Sequence, residues 1–102
     1  MLAAGQLACA TPYQHRGFRG GYSDFEAQPG VHYVAFEGNG FTSRATVAEY
    51  WHQRAAEICG GRDRYQVLSQ QAASELFVTG SGGNVQSGRK PSMEGYITCA
   101  IP

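Results

Sequence analysis

Gly38-Asn39-Gly40-Phe41-Thr42-Ser43, running into Arg44-Ala45-Thr46-Val47-Ala48-Glu49-Tyr50-Trp51-His52-Gln53-Arg54-Ala55-Ala56-Glu57-Ile58-Cys59 and halted by Gly60-Gly61, is the stretch whose reading decides the fold. Thr42 or Ser43 is suited to cap a helix, because a hydroxyl accepts a bond from an orphan N–H of the first turn. Val47, Trp51, Ala55 and Ile58 then recur at helical spacing and form one apolar stripe, which Tyr50 widens. Arg44, Glu49, Gln53 and Glu57 fall off the stripe and read as solvent-facing, with Arg54 and Glu57 spaced as a weak surface pair. A Gly-Gly sequence ends the helix, since glycine takes the left-handed position after the last turn without a Cβ clash. The spacing therefore predicts a helix over about 43–59, roughly 25 Å long at 1.5 Å per residue. One helix cannot bury its own stripe, so a sheet is required beneath it.

The flanking sequence supplies that sheet. Pro29-Gly30 is a turn, and Val31-His32-Tyr33-Val34-Ala35-Phe36 after it is rich in β-branched and aromatic residues. Beyond the helix, Tyr65 to Gln70 reads as a second strand and Glu75 to Thr79 as a third. Gly80-Ser81-Gly82-Gly83-Asn84 reads as a loop or a hairpin end, Pro91 closes the polar run after it, and Glu94 to Ile101 is the last strand. The expected fold class is α+β, in two layers: one helix on a small, mostly antiparallel sheet of three or four strands.

The 102 residues suffice for one domain. Eight basic and eight acidic side chains cancel, so no strong field draws in nucleic acid or an anionic surface. No apolar run is long enough to span a bilayer. Of three cysteines, Cys9 lies in an aperiodic stretch, Cys59 closes the helix and Cys99 lies in the last strand. A Cys59–Cys99 bridge with Cys9 left over is the simplest pairing, and it places the chain in an oxidising compartment. Two buried free thiols in a cytosolic protein are the alternative.

Residues 11–30 carry glycine, proline, arginine and aromatics without a helical or strand period, and read as a flexible linker. Their Arg16-Gly17-Phe18-Arg19-Gly20-Gly21 run is a single copy in a chain of zero net charge, too little basic character for RNA. Residues 31–102 then form the single α+β domain.

The small and apolar residues Gln6-Leu7-Ala8 before Cys9 resemble the end of a bacterial lipoprotein signal, in which the cysteine is lipidated. Gln6 stands where leucine is usual. The eight residues before Cys9 include no basic side chain and are shorter than a working leader. Residues 1–10 thus read as a signal remnant with its start upstream, or as an ordinary terminus.

A wider likeness covers most of the chain. Thr11-Pro12-Tyr13-Gln14, Gly21-Tyr22-Ser23-Asp24, Phe36-Glu37-Gly38-Asn39-Gly40-Phe41-Thr42-Ser43-Arg44 and Arg54-Ala55-Ala56-Glu57 resemble small proteobacterial envelope lipoproteins of unassigned function. Cys59-Gly60-Gly61 and Gly95-Tyr96-Ile97-Thr98-Cys99 fit members with a cysteine pair, and the layout is weakly similar to the periplasmic domain of the Rcs stress-sensing outer-membrane lipoprotein. The resemblance implies export, a lipid on Cys9, a position on the periplasmic side of the bacterial cell envelope and no catalytic residues.

Other chemistry is thin. His52 with Cys59 and Cys99, and His32 as a fourth ligand, have the residue types for zinc but no Cys-x-x-Cys spacing. Cys59 with His52 as nucleophile and base has no third group. The Gly38-Asn39-Gly40 turn lacks the lysine of a phosphate loop and reads as a connection. The expectation is a non-catalytic envelope lipoprotein domain with a structural, binding or sensing role in the periplasm. It has no metal or cofactor; its partners are a membrane, through a lipid on Cys9, and an envelope protein, not nucleic acid. Residues 11–30 would serve as spacer from the membrane. The alternative is a small intracellular protein- or RNA-binding domain with free thiols.

Overall fold

The computed structural model describes residues 10–81 and 84–99. Within them the chain runs β1 (Gly21–Gln28), β2 (Val31–Glu37), α1 (Arg44–Cys59), β3 (Gln66–Ser81) and β4 (Asn84–Thr98). The four strands form one antiparallel sheet in the order β1-β2-β4-β3, and α1 packs on one face of it, mainly over β2 and β4. The protein is a two-layer α+β domain.

The helix forms as its sequence dictates. Ser43 caps it, its hydroxyl accepting from Thr46 N at 3.0 Å, and Gly60 closes it in the left-handed conformation at φ 92°. Val47, Trp51 and Ala55 face the sheet and are buried, with Ile58 and Tyr50 packed beside them. They meet Val34 and Phe36 from β2 and Ile97 from β4, and these six buried residues are the core. Trp51 is fully buried and donates its indole N–H to Val34 O at 2.8 Å, so its one polar atom carries no desolvation penalty.

Residues 21–28 are not linker. They pair with β2 from Gly21↔Glu37 to Gln28↔Val31, through the Pro29-Gly30 turn. The strand hides from a hydrophobicity reading because its helix-facing positions include Asp24, which is paired with Arg54 of α1, and the exposed Glu26. Residues 11–20 are also docked, as described below.

The second and third strands expected after the helix are one, Gln66–Ser81, with a bulge between Val67 and Ser69. No turn residue interrupts Gln71-Ala72-Ala73-Ser74, and the ladder to β4 carries the backbone through this weakly β-forming run. Ser81 pairs with Asn84, which makes the glycine-rich segment a hairpin end; residues 82 and 83 lie outside the described ones. Pro91 does not end a polar run but sits inside β4. Its carbonyl accepts from Gly38 N at 2.8 Å, so its ring nitrogen also points to the β2 side, just past the last residue of β2. No ladder bond is lost there, which is where a strand tolerates proline. Beyond it, Glu75–Ser81 and Asn84–Lys90 pair only with each other and extend as a ribbon of roughly 20 Å.

Gly95 fits because it has no side chain. A Cβ there would strike the backbone of Ser69 and Gln70, at the β3 bulge. Gly95→Ala is expected to lower unfolding stability by about 1–3 kcal/mol through this overpacking, read as a lower urea midpoint at unchanged slope.

Candidate functional site

Three groups of side chains carry chemistry, and they lie in different places. At the C-terminal end of α1, Cys59 and Cys99 meet as a disulfide with Cα atoms 5.2 Å apart, tying the helix to the residue after β4. Joined to each other, the two sulfurs offer no thiolate to a metal or a substrate. His52 is turned elsewhere: Nδ1 lies 2.6 Å from Tyr65 Oη, Nε2 faces the Gln70 amide at 3.2 Å, and the ring packs edge-on against Trp51. His32 lies on β2, opposite Glu26 and Ile97 in the sheet. Among the described residues, no three His, Cys, Asp or Glu side chains are grouped to hold a metal ion.

The second group locks the N-terminal segment onto the start of α1. Thr11, 2% exposed, donates its N–H to Thr42 Oγ1 at 2.9 Å and its hydroxyl to Arg19 O at 2.8 Å, and its Oγ1 accepts from Asn39 N at 2.8 Å. Phe41 N donates to Asn39 Oδ1 at 2.9 Å and Thr42 N to Asn39 O at 3.1 Å. The N–H groups of Asn39, Phe41 and Thr42 are thus spent on the protein's own oxygens and are not open to an anion. Tyr13 then lays its ring among Tyr22, Phe36 and Tyr50 and donates its hydroxyl to Glu57. Glu57 is joined to Arg54 at 3.1 Å, Arg54 to Asp24 at 2.7 Å, and the Arg54 guanidinium lies 4.3 Å over the Tyr22 ring. The hydrogen bond from Tyr13 holds the Glu57 carboxyl below its usual value, and burial with that carboxylate raises the Tyr13 phenol. Of this network the sequence shows only Arg54–Glu57; Asp24 and Tyr13 lie in the stretch without period.

Two phenylalanines stand out beside this lock. Phe18, at the tip of the turn closed by Gly17 and Gly20, is fully exposed, and Phe41 is 74% exposed. Each is one residue from a group bonded to Thr11. Arg16, Arg19 and Arg44 lie in the same two segments, 10–23 and 38–48; Arg16 is paired with Glu37 at 3.2 Å, and Arg19 donates to Ala10 O at 3.4 Å.

The third group is on the sheet face opposite α1. Phe25, Tyr33 and Tyr96 are cross-strand neighbours on β1, β2 and β4 and form an aromatic row with ring centroids 5.1 and 5.5 Å apart. Tyr33 donates its hydroxyl to Glu94 at 2.8 Å, and burial together with that carboxylate pushes its pKa up to about 12. A shallow hollow of about 180 Å³ runs between Tyr33, Tyr96, Glu94 and Gln71. Ring faces and edges beside a carboxylate and an amide can take a polar ligand with an apolar side. The alternation of Tyr33 with Val34 marks this row in the sequence, but its partners emerge only once the strands are in register.

No family model, curated protein or solved structure matches the chain.

Burial lowers the pKa of His52, a loss partly offset by Glu49 and reinforced by Arg62. The unfolded state therefore binds the proton more readily, and stability falls as pH drops below about 6.5 toward the folded-state value. His52→Gln is expected to flatten the melting temperature between pH 7 and pH 5. An unchanged slope in that variant would assign the acid sensitivity elsewhere.

Proposed function

We propose that the chain is an exported, non-catalytic lipoprotein domain of the bacterial cell envelope, tethered through Cys9 on the periplasmic side of a membrane, where it binds another envelope component. The observation that carries this reading is the meeting of Cys59 and Cys99 at bonding distance. A small domain stapled in this way belongs in an oxidising compartment. With six buried core residues, the constraint on the unfolded chain is a large part of its stability. The aromatic row on the open sheet face is the surface offered to the bound component.

Cys9 itself lies outside the described residues. It is two positions before Thr11, and Thr11 is buried, so residues 11–30 do not serve as a spacer. A lipid on Cys9 therefore draws the body of the domain onto the bilayer. The surface it presents carries Phe18 and Phe41 with Arg19, Arg44 and the Arg16–Glu37 pair, a composition that suits the headgroup region of a bilayer. The β3–β4 ribbon leaves the body past Gly38, next to the Asn39 backbone that Thr11 holds.

Three measurements test the reading. Protein isolated from the envelope under thiol-blocking conditions is expected to gain the mass of two hydrogens on reduction, and Cys99→Ser to lose about 4 kcal/mol of stability for a loop of this length. Labelled palmitate fed to cells is expected to enter the chain and to be absent from Cys9→Ser. Free Cys59 and Cys99 thiols in the native protein would overturn export, and an unlabelled chain would overturn the anchor.

A further inference from the structure

The two edges of the sheet are not alike. The outer edge of β1 is covered where it begins: Tyr22 N donates to Gln14 O at 2.8 Å and Tyr22 O accepts from Arg16 N at 2.7 Å, so residues 14–16 lie along it. Its other end is broken by an irregularity between Glu26 and Gln28. These are devices that keep an edge from pairing with another chain. The β3 edge carries a bulge between Val67 and Ser69 but neither of these devices over 70–74. Of the strands, β3 pairs only with β4, and it meets the helix through the Gln70–His52 contact. The stretch Gln66-Val67-Leu68-Ser69-Gln70-Gln71-Ala72-Ala73-Ser74 holds no charged residue, no proline and no glycine, and Leu68 in it is half exposed.

The register says which backbone groups face out. Pro91 points its carbonyl toward β2, so Met93, Gly95 and Ile97 do the same, and Ser92, Glu94 and Tyr96 point toward β3. Their partners Ala73, Gln71 and Ser69 turn inward to β4. Gln70, Ala72 and Ser74 therefore direct their N–H and C=O groups away from the sheet. Arg89 reaches the Ser74 carbonyl at 3.4 Å; Gln70 and Ala72 have no recorded backbone partner on that side among the described residues.

We propose that this edge pairs with the same edge of a second copy, antiparallel and centred on Ala72, joining two four-stranded sheets into one of eight. The sequence is self-complementary about that point. Ala72 meets Ala72, Gln70 meets Ser74, and Glu75 falls opposite Ser69 and not against another carboxylate. The small side chains of Ala72, Ala73 and Ser74 let two backbones approach to ladder distance. A second copy is the partner whose strand always matches in length and polarity, and its two-fold pairing closes, leaving no further edge of this kind.

The test uses the full chain with Cys9→Ser, which leaves no cysteine outside the Cys59–Cys99 bridge as a source of covalent dimers. Sedimentation equilibrium is expected to show a monomer–dimer equilibrium. Ala72→Pro removes an outward N–H while leaving the β4 ladder intact, a change an edge strand accepts. It is expected to weaken association by on the order of tenfold or more, since two-fold symmetry removes two bonds. Amide exchange reads the same contact without substitution: the Gln70 and Ala72 amides are expected to exchange more slowly as protein concentration rises, while the outward Asp24 amide of β1 does not change. A monomer at every concentration, a dimer unaffected in folded Ala72→Pro, or concentration-independent exchange at Ala72 would each overturn the proposal.

Discussion

Trp51 sits where the whole domain is closed. A single helix of sixteen residues has to seal a four-stranded sheet, and the indole does so by filling the space over β2 and β4 with no exposed surface. Its N–H bond to Val34 O fixes how the helix is rotated over the sheet. That rotation puts Val47 and Ala55 on Trp51's side, Tyr50 toward Phe36 and the N-terminal tyrosines, and His52 toward Tyr65 and Gln70. Truncating a buried tryptophan costs about 3–5 kcal/mol in typical cores, a large fraction of what a domain this size holds in total. The remaining devices act at the two ends of the helix, where the apolar stripe runs out: the Thr11–Thr42 contact at the start and the Cys59–Cys99 bridge at the finish.

How much of this is legible in the chain follows from what each element has to bury. The helix is plain because its apolar positions, cap and stop signal agree at one spacing, and its observed bounds differ by a residue from the expected ones. β2 is plain because it is the central strand under the helix, and Val34 and Phe36 must be apolar. β1 and the middle of β3 are edge strands with few buried contacts. Their side chains are free to be Asp24, Glu26, Gln70 or Gln71, so pattern carries no signal and only the ladder defines them. Pro91 misleads for a related reason: the local rule against proline in strands fails where a neighbouring strand has ended.

The side-chain groups divide in the same way. Cys59 and Cys99 are found by arithmetic, since three cysteines in distinct settings leave few pairings. The Arg54–Glu57 pair is found because it is local to one helix, and it turns out to be one link in a longer chain through Asp24 and Tyr13. The long-range members depend on strand register and on a segment docked without regular structure. Such contacts are set by tertiary packing, and no spacing rule reaches them.

The docked N-terminal segment does more than fill a gap. Residues 14–16 cover the β1 edge, Tyr13 completes the aromatic cluster over Phe36, and Thr11 satisfies the backbone before α1. One short stretch thereby guards an edge, extends the core and positions the helix start. Any force applied at residue 10 is passed through Thr11 to Asn39 and Thr42, and from there along a helix whose far end is held covalently to the end of β4. Residue 10 and the core are therefore one mechanical unit. A flexible linker in the same place would have isolated the two. The polar, aperiodic composition of residues 11–20 reflects that duty: hydroxyls to bond turning backbone, glycines to let it turn and aromatic rings to bury, with no period because the chain there crosses three elements in ten residues.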